Sequence, residues 1–239
     1  MKKKILAIAL AVALIAIMVG GSLAYFTDND EVTNAFTVGS VKIEIYENDE
    51  KTDSDTKTFE NLIPVVDMQN PSGDKNYQKK EVKVQNTGAN EAYIRTHIAI
   101  PADLEGYLYL DLDETGWTRQ QPDTTAEVEG VKYKVFTYDY NTAVEPGKFT
   151  GKLLKGVYLH SYVDLEEDVS GNLVFILRDA DGNKVESSGF VAHKVNGGAY
   201  TPEKVNVLVA SQAIQASGFG NATDALNTGF GTGTNPWKQ

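Results

Sequence analysis

Ile94-Arg95-Thr96-His97-Ile98-Ala99-Ile100-Pro101 alternates with a period of two. Ile94, Thr96, Ile98 and Ile100 fall on one face, Arg95 and His97 on the other, and Pro101 ends the run. That spacing belongs to a strand with one apolar face. The same pattern recurs outward along the chain. Val41, Ile43 and Ile45 alternate with Lys42, Glu44 and Tyr46, and Val82 and Val84 alternate with Lys83 and Gln85. Val131, Tyr133 and Val135 alternate with lysines and run on into Tyr138 and Tyr140, and Val205, Val207 and Val209 form the last clear run. Residues 173–177 are apolar on both faces, as in a central strand covered on both sides.

Turn residues punctuate these runs. Asn86-Thr87-Gly88-Ala89 separates two of them, Ser170-Gly171-Asn172 precedes another, and Asp181-Gly182 reads as a hairpin turn. About nine or ten short strands with such turns predict an all-β fold, a jelly-roll-like antiparallel β-sandwich with little helix. Residues 212–216 and 222–227 have room for a helical turn or two, and the surrounding glycines argue against more. Residues 48–57, 69–77 and 115–129 read as loops. Residues 229–239, rich in Gly, Thr and Asn with Trp237 near the end, read as a flexible tail.

The N-terminus is of another kind. Lys2, Lys3 and Lys4 precede an unbroken apolar run over residues 5–19, followed by Gly20, Gly21 and Ser22-Leu23-Ala24. Charged, apolar and small-residue regions in that order are those of a secretory signal peptide. Small side chains at Ser22 and Ala24 place the cut after Ala24, exposing Tyr25 as the new N-terminus. The alternative is an uncleaved anchor, since the uncharged stretch is about long enough to cross a bilayer. The expected organisation is a signal peptide over residues 1–24, an N-terminal arm over 25–35, a sandwich domain over 36–228 and the tail. Membrane contact is then expected only through the uncleaved signal segment.

The chain has 22 basic and 33 acidic residues and no cysteine. Loss of residues 1–24 removes three of those lysines and no acid, leaving a net charge of about −14. Such a surface repels nucleic acid and anionic lipid. Without disulfides the exported chain relies on its core for stability, a composition that suits a Gram-positive-type bacterium.

No constellation reads as a catalytic centre, cofactor site or metal site. His97, His160 and His193 lie far apart, none in a His-Glu-x-x-His pair. His97 on its strand reads as a structural histidine with satisfied ring nitrogens. His160 and Ser161 are neighbours in a strand and point to opposite faces, so they make no triad. A thiol nucleophile is excluded. Asp28-Asn29-Asp30-Glu31, Asp111-Leu112-Asp113-Glu114 and Asp179-Ala180-Asp181-Gly182-Asn183 collect calcium-type oxygens, but none completes a twelve-residue loop. They read as solvated acidic loops, the third as a hairpin turn.

The junction carries the most specific signal. Gly20-Gly21-Ser22-Leu23-Ala24-Tyr25-Phe26-Thr27-Asp28, then Asn34-Ala35-Phe36-Thr37-Val38-Gly39-Ser40-Val41, resembles the start of the TasA/camelysin (CalY) family. Lys83-Val84-Gln85-Asn86-Thr87-Gly88 resembles that family's strand ending in Asn-x-Gly. Val205-Asn206-Val207 through Ala213-Ile214-Gln215-Ala216 resembles its closing strand. Residues 106–196 match only in being strand-rich.

The resemblance implies processing by a SipW-type signal peptidase, secretion, a jelly-roll domain and, often, assembly into biofilm matrix fibres. In fibre-forming members the segment exposed by cleavage inserts as a strand into the next subunit. Here that arm would anchor through Tyr25, Phe26, Val32 and Phe36, although Thr27 to Glu31 is polar and acidic. A disordered arm is the plainer reading. The expected partners are other copies of the chain or a related matrix subunit. Some family members are labelled metalloproteases, but these residues supply no ligand set for that chemistry. Two alternatives remain open. One is a cell-surface adhesin with an aromatic strip of Tyr138, Tyr140, Tyr158 and Tyr162, and the other is a secreted hydrolase.

Overall fold

The structure is a computed structural model and describes residues 27–30, 41–52, 56–59, 62–194, 200–202 and 205–237. Its strands in chain order are β1 (Thr27–Asp30), β2 (Ile43–Glu47), β3 (Glu50–Lys51), β4 (Thr56–Phe59) and β5 (Gln78–Asn86). Then follow β6 (Ala92–Pro101), β7 (Leu108–Leu112), β8 (Trp117–Val128), β9 (Val131–Tyr140) and β10 (Leu154–Leu159). The last are β11 (Val163–Glu167), β12 (Leu173–Arg178), β13 (Lys184–Lys194), β14 (Tyr200–Pro202) and β15 (Val205–Gln215). One α-helix, α1 (Ala222–Phe230), comes after them.

Every strand pair is antiparallel. The first sheet runs β1-β15-β6-β9-β8, with β4 beside β1 on the outer edge of β15. The second runs β3-β2-β5-β10-β7, and a third runs β11-β12-β13-β14. Between β5 and β10 the chain passes from the second sheet to the first and back twice, the crossing habit of jelly rolls. The expected all-β sandwich is therefore what the chain forms.

The core lies between the first two sheets. Ile94, Ile98 and Ile100 of β6 and Val205, Val207 and Val209 of β15 meet Ile43, Ile45, Val82, Val84, Leu154 and Val157 of the second sheet. Each is at most 3% exposed, and burying a side chain of this kind contributes about 1.5–3 kcal/mol. Phe175 of the third sheet joins the same cluster. Val174 and Ile176 on its other side are buried too, which accounts for the apolar run of β12.

Several expectations require correction, among them the loop over residues 48–57, which holds β3 and the start of β4. Residues 115–129 are not a loop, because most of them form β8, a twelve-residue edge strand. An edge strand facing water needs no apolar alternation, and Pro122 is tolerated where the register with β9 shifts between Gln120 and Thr124. Residues 212–215 belong to β15 rather than to a helical turn. Finally, α1 is nine residues long. It starts at Asn221, whose side chain accepts a 2.9 Å bond from the Asp224 amide, and ends at Gly231 with φ +84°.

That helix covers the far face of the first sheet. Ala222, Ala225 and Leu226 pack on Ile214 and Tyr93. The expected flexible tail is also seated as far as Trp237. Asn235 is buried and donates to Thr124 Oγ1 at 3.0 Å, and Trp237 packs on the cluster of Ala99, Ala126, Tyr133, Val135 and Leu208. Both faces of β6 are thereby covered. Its polar residues Arg95 and His97 are buried as completely as its isoleucines.

Candidate functional site

The edge of β15 brings two distant segments together. On its outer side β4 pairs Phe59 with Val205 through Thr56 with Leu208, and β1 pairs Thr27 with Ile214 through Asp30 with Ser211. The N-terminal arm thus contributes a short strand to the first sheet, although Thr27-Asp28-Asn29-Asp30 has no strand-forming pattern. Main-chain hydrogen bonds supply such pairing whatever the side chains are, so polar residues do not prevent it. The other residues singled out at the junction, Ser22, Ala24, Tyr25, Phe26, Val32 and Phe36, lie outside the described residues.

The histidines do not converge. His97 sits on the helix-covered face of β6 with both ring nitrogens bonded, Nδ1 to Thr137 Oγ1 and Nε2 to Gln212 Oε1, each at 3.0 Å. Burial lowers its pKa from 6.5 to about 4, partly offset by the Gln212 bond, and Arg95 lowers it further. The ring is neutral at pH 7. His160 follows β10 on the second sheet and accepts a bond from the Tyr162 amide through Nδ1. His193 is on β13 of the third sheet. Among the described residues no group of three or more His, Cys, Asp or Glu is placed to hold a metal ion.

The second and third acidic motifs are occupied by structure, and the side chains of the first lie outside the described residues. Asp179 Oδ1 accepts from the amides of Asp181 and Asn183 at 3.0 and 2.8 Å, closing the β12–β13 hairpin as the turn reading expects. Asp113 Oδ1 accepts from the Thr115 amide, and Asp111 takes Lys155 and the Tyr77 hydroxyl. These carboxylates are spent on turns and ion pairs.

The tyrosines divide. Tyr138 is buried in the core and Tyr140 packs on Trp117, so these two are not a surface strip. Tyr158 lies instead on the outer side of the second sheet and Tyr162 in the turn after β10, in a row that also takes in Tyr77, Tyr109 and His160. Sequence reasoning missed those three. The alternation Leu108-Tyr109-Leu110-Asp111-Leu112 carries the signal, because the leucines face the core and leave Tyr109 and Asp111 outside.

Residues 1–92 match the family model described as camelysin metallo-endopeptidase. No curated protein matches the chain. The donor set above does not fit the metal centre that this description implies. His97 has both nitrogens bonded to side chains, His160 lies past the end of β10, and His193 is on β13 of the third sheet. The matched stretch runs from the N-terminus through β5 to the first residue of β6, taking in the arm and its strand β1. Over residues 1–92, the chain's likeness is to the TasA/camelysin family.

Proposed function

We propose that this chain is a secreted structural protein of an extracellular matrix, a fibre subunit or accessory component that joins its neighbours through the N-terminal strand. One observation carries the reading: β1 pairs with Ser211–Ile214 on the outer edge of β15, beside β4. A four-residue polar strand, tied to the domain by the chain that follows it, is easily exchanged. The same backbone bonds form whether the strand comes from its own chain or from the next copy. Exchange in a head-to-tail sense does not close on itself, so it builds filaments.

In this reading a SipW-type signal peptidase cuts after Ala24 and frees the arm. Its partners are further copies of the chain or a related matrix subunit, at the cell surface or in the matrix. Nucleic acid is not among them, given a net charge of about −14 once residues 1–24 are removed. The protein acts by assembly rather than by catalysis.

The test compares chains beginning at Tyr25 and at Phe36 by size-exclusion chromatography and negative-stain microscopy. Filaments from the first and folded monomers from the second are expected. Filaments from the shorter chain would overturn strand exchange by the arm.

A further inference from the structure

Five aromatic rings run in a continuous row across the outer side of the second sheet. Tyr77, one residue before β5, packs against Tyr158 of β10 with centroids 6.2 Å apart, and Tyr158 stacks on Tyr109 of β7 at 5.7 Å. The row continues from Tyr109 to His160 at 5.3 Å and on to Tyr162 at 5.0 Å. Leu108 and Leu159, flanking residues on β7 and β10, point into the core, so the row faces solvent. Tyr109 and Tyr162 are 37% and 45% exposed.

The row is built rather than incidental. The Tyr77 ring crosses β10 over Gly156, and its hydroxyl donates to Asp111 Oδ2 of β7 at 2.9 Å. A Cβ on Gly156 would stand 2.6 Å from Tyr77 Cε1, so only glycine leaves the ring this bed. Lys155 Nζ lies 3.0 Å from the other Asp111 oxygen and fixes that carboxylate. His160 is held through its bond from the Tyr162 amide, and burial keeps its pKa below the ordinary value. Cross-strand aromatic pairs stabilise sheets by themselves. That role does not require two of the five rings to remain so exposed, nor the row to extend past the end of β10.

We propose that this row binds a linear, uncharged polysaccharide of pyranose units. Sugar rings offer apolar C–H faces to aromatic surface and hydroxyls to polar groups at its rim. Here Lys155 and His160 supply such polar groups. Tyrosines give large, rigid contact area at low entropic cost, and rings held in place by their neighbours incur little further ordering on binding. The surplus of acidic residues disfavours anionic polymers such as nucleic acid. A proline-rich peptide requires an aromatic-lined groove, whereas these rings stand on an open sheet face. A matrix protein with such a strip would hold glycan along its length. The inference does not rest on strand-mediated assembly.

The test is retention of the protein on insoluble chitin and insoluble cellulose, with soluble oligosaccharides of each as competitors. Retention on either, competed by its own oligosaccharide, is expected, and the arm that succeeds identifies the sugar. A Tyr109→Ala/Tyr162→Ala variant should lose at least tenfold in affinity while still unfolding cooperatively, with a thermal midpoint lowered only by loss of the Tyr109–Tyr158 cross-strand pair. Gly156→Ala, which displaces Tyr77 alone, should weaken binding less. Absence of retention on both polymers would overturn the proposal, as would retention undiminished in the double variant or displacement by a proline-rich peptide. Filament formation, scored on the same samples, reports separately on the arm.

Discussion

Arg95 and Asp139 form a two-pronged ion pair inside the protein, Nε to Oδ1 at 2.6 Å and Nη2 to Oδ2 at 3.0 Å, with both side chains almost fully buried. The same guanidinium donates to the Gly231 carbonyl at 3.0 Å and to Asn227 Oδ1 at 2.8 Å. It therefore ties β6 and β9 to the C-terminal end of α1. Removing one partner leaves a buried charge without its counter-charge. Asp139→Ala should cost about 3–5 kcal/mol in urea-induced unfolding. Replacing both residues with apolar ones of similar volume should cost much less.

The helix is itself part of the fold. Leu226 is fully buried against the far face of the first sheet. Leu226→Ala should lower stability by about 2–5 kcal/mol. The Arg95–Asp139 pair would then lose its cover, so amide exchange at β6 should accelerate.

His97 makes stability pH-dependent. Its pKa is about 4 when folded, below the ordinary 6.5, because burial opposes the charged ring. Between those values the unfolded chain binds a proton that the folded protein does not. The His97 contribution is therefore complete above pH 6.5 and falls away as pH drops towards about 4. The loss is on the order of 3 kcal/mol across that window. Chemical denaturation of wild type and His97→Gln at pH 7 and pH 5 checks it: the variant should lose less stability on acidification.

Gly156 and Tyr77 form a second coupled pair. Gly156→Ala drives the Tyr77 ring off β10 and breaks its bond to Asp111. The expected cost is about 1–3 kcal/mol. In a Tyr77→Ala background the same change should cost far less, and a double-mutant cycle measures the difference.

Much of the architecture is readable in the sequence. The alternation at Ile94, Thr96, Ile98 and Ile100 marked the apolar face of β6, and the runs at Val41, Val82, Val131 and Val205 marked four more strands. Asp181-Gly182 marked its hairpin. β8 was illegible because an edge strand facing solvent carries no apolar period. β1 was illegible because its pairing is made by backbone, which leaves no trace in side-chain type. The tail looked free because Gly, Thr and Asn are loop residues wherever they occur, whereas Asn235 and Trp237 are seated by what lies beneath them.

By itself, then, the sequence determined where the core strands lie and which face of each is apolar, because a period of two is a local property of an extended chain. Only the tertiary structure decided what covers the opposite face of β6. The sequence places Arg95 and His97 on the face opposite the isoleucines, and only α1 and residues 231–237, laid over that face, bury them. It also decided that Tyr77, Tyr109, Tyr158, His160 and Tyr162 stand in one row. Their neighbourhood depends on which strands pair and in what register, and those choices are made by contacts between residues far apart along the chain.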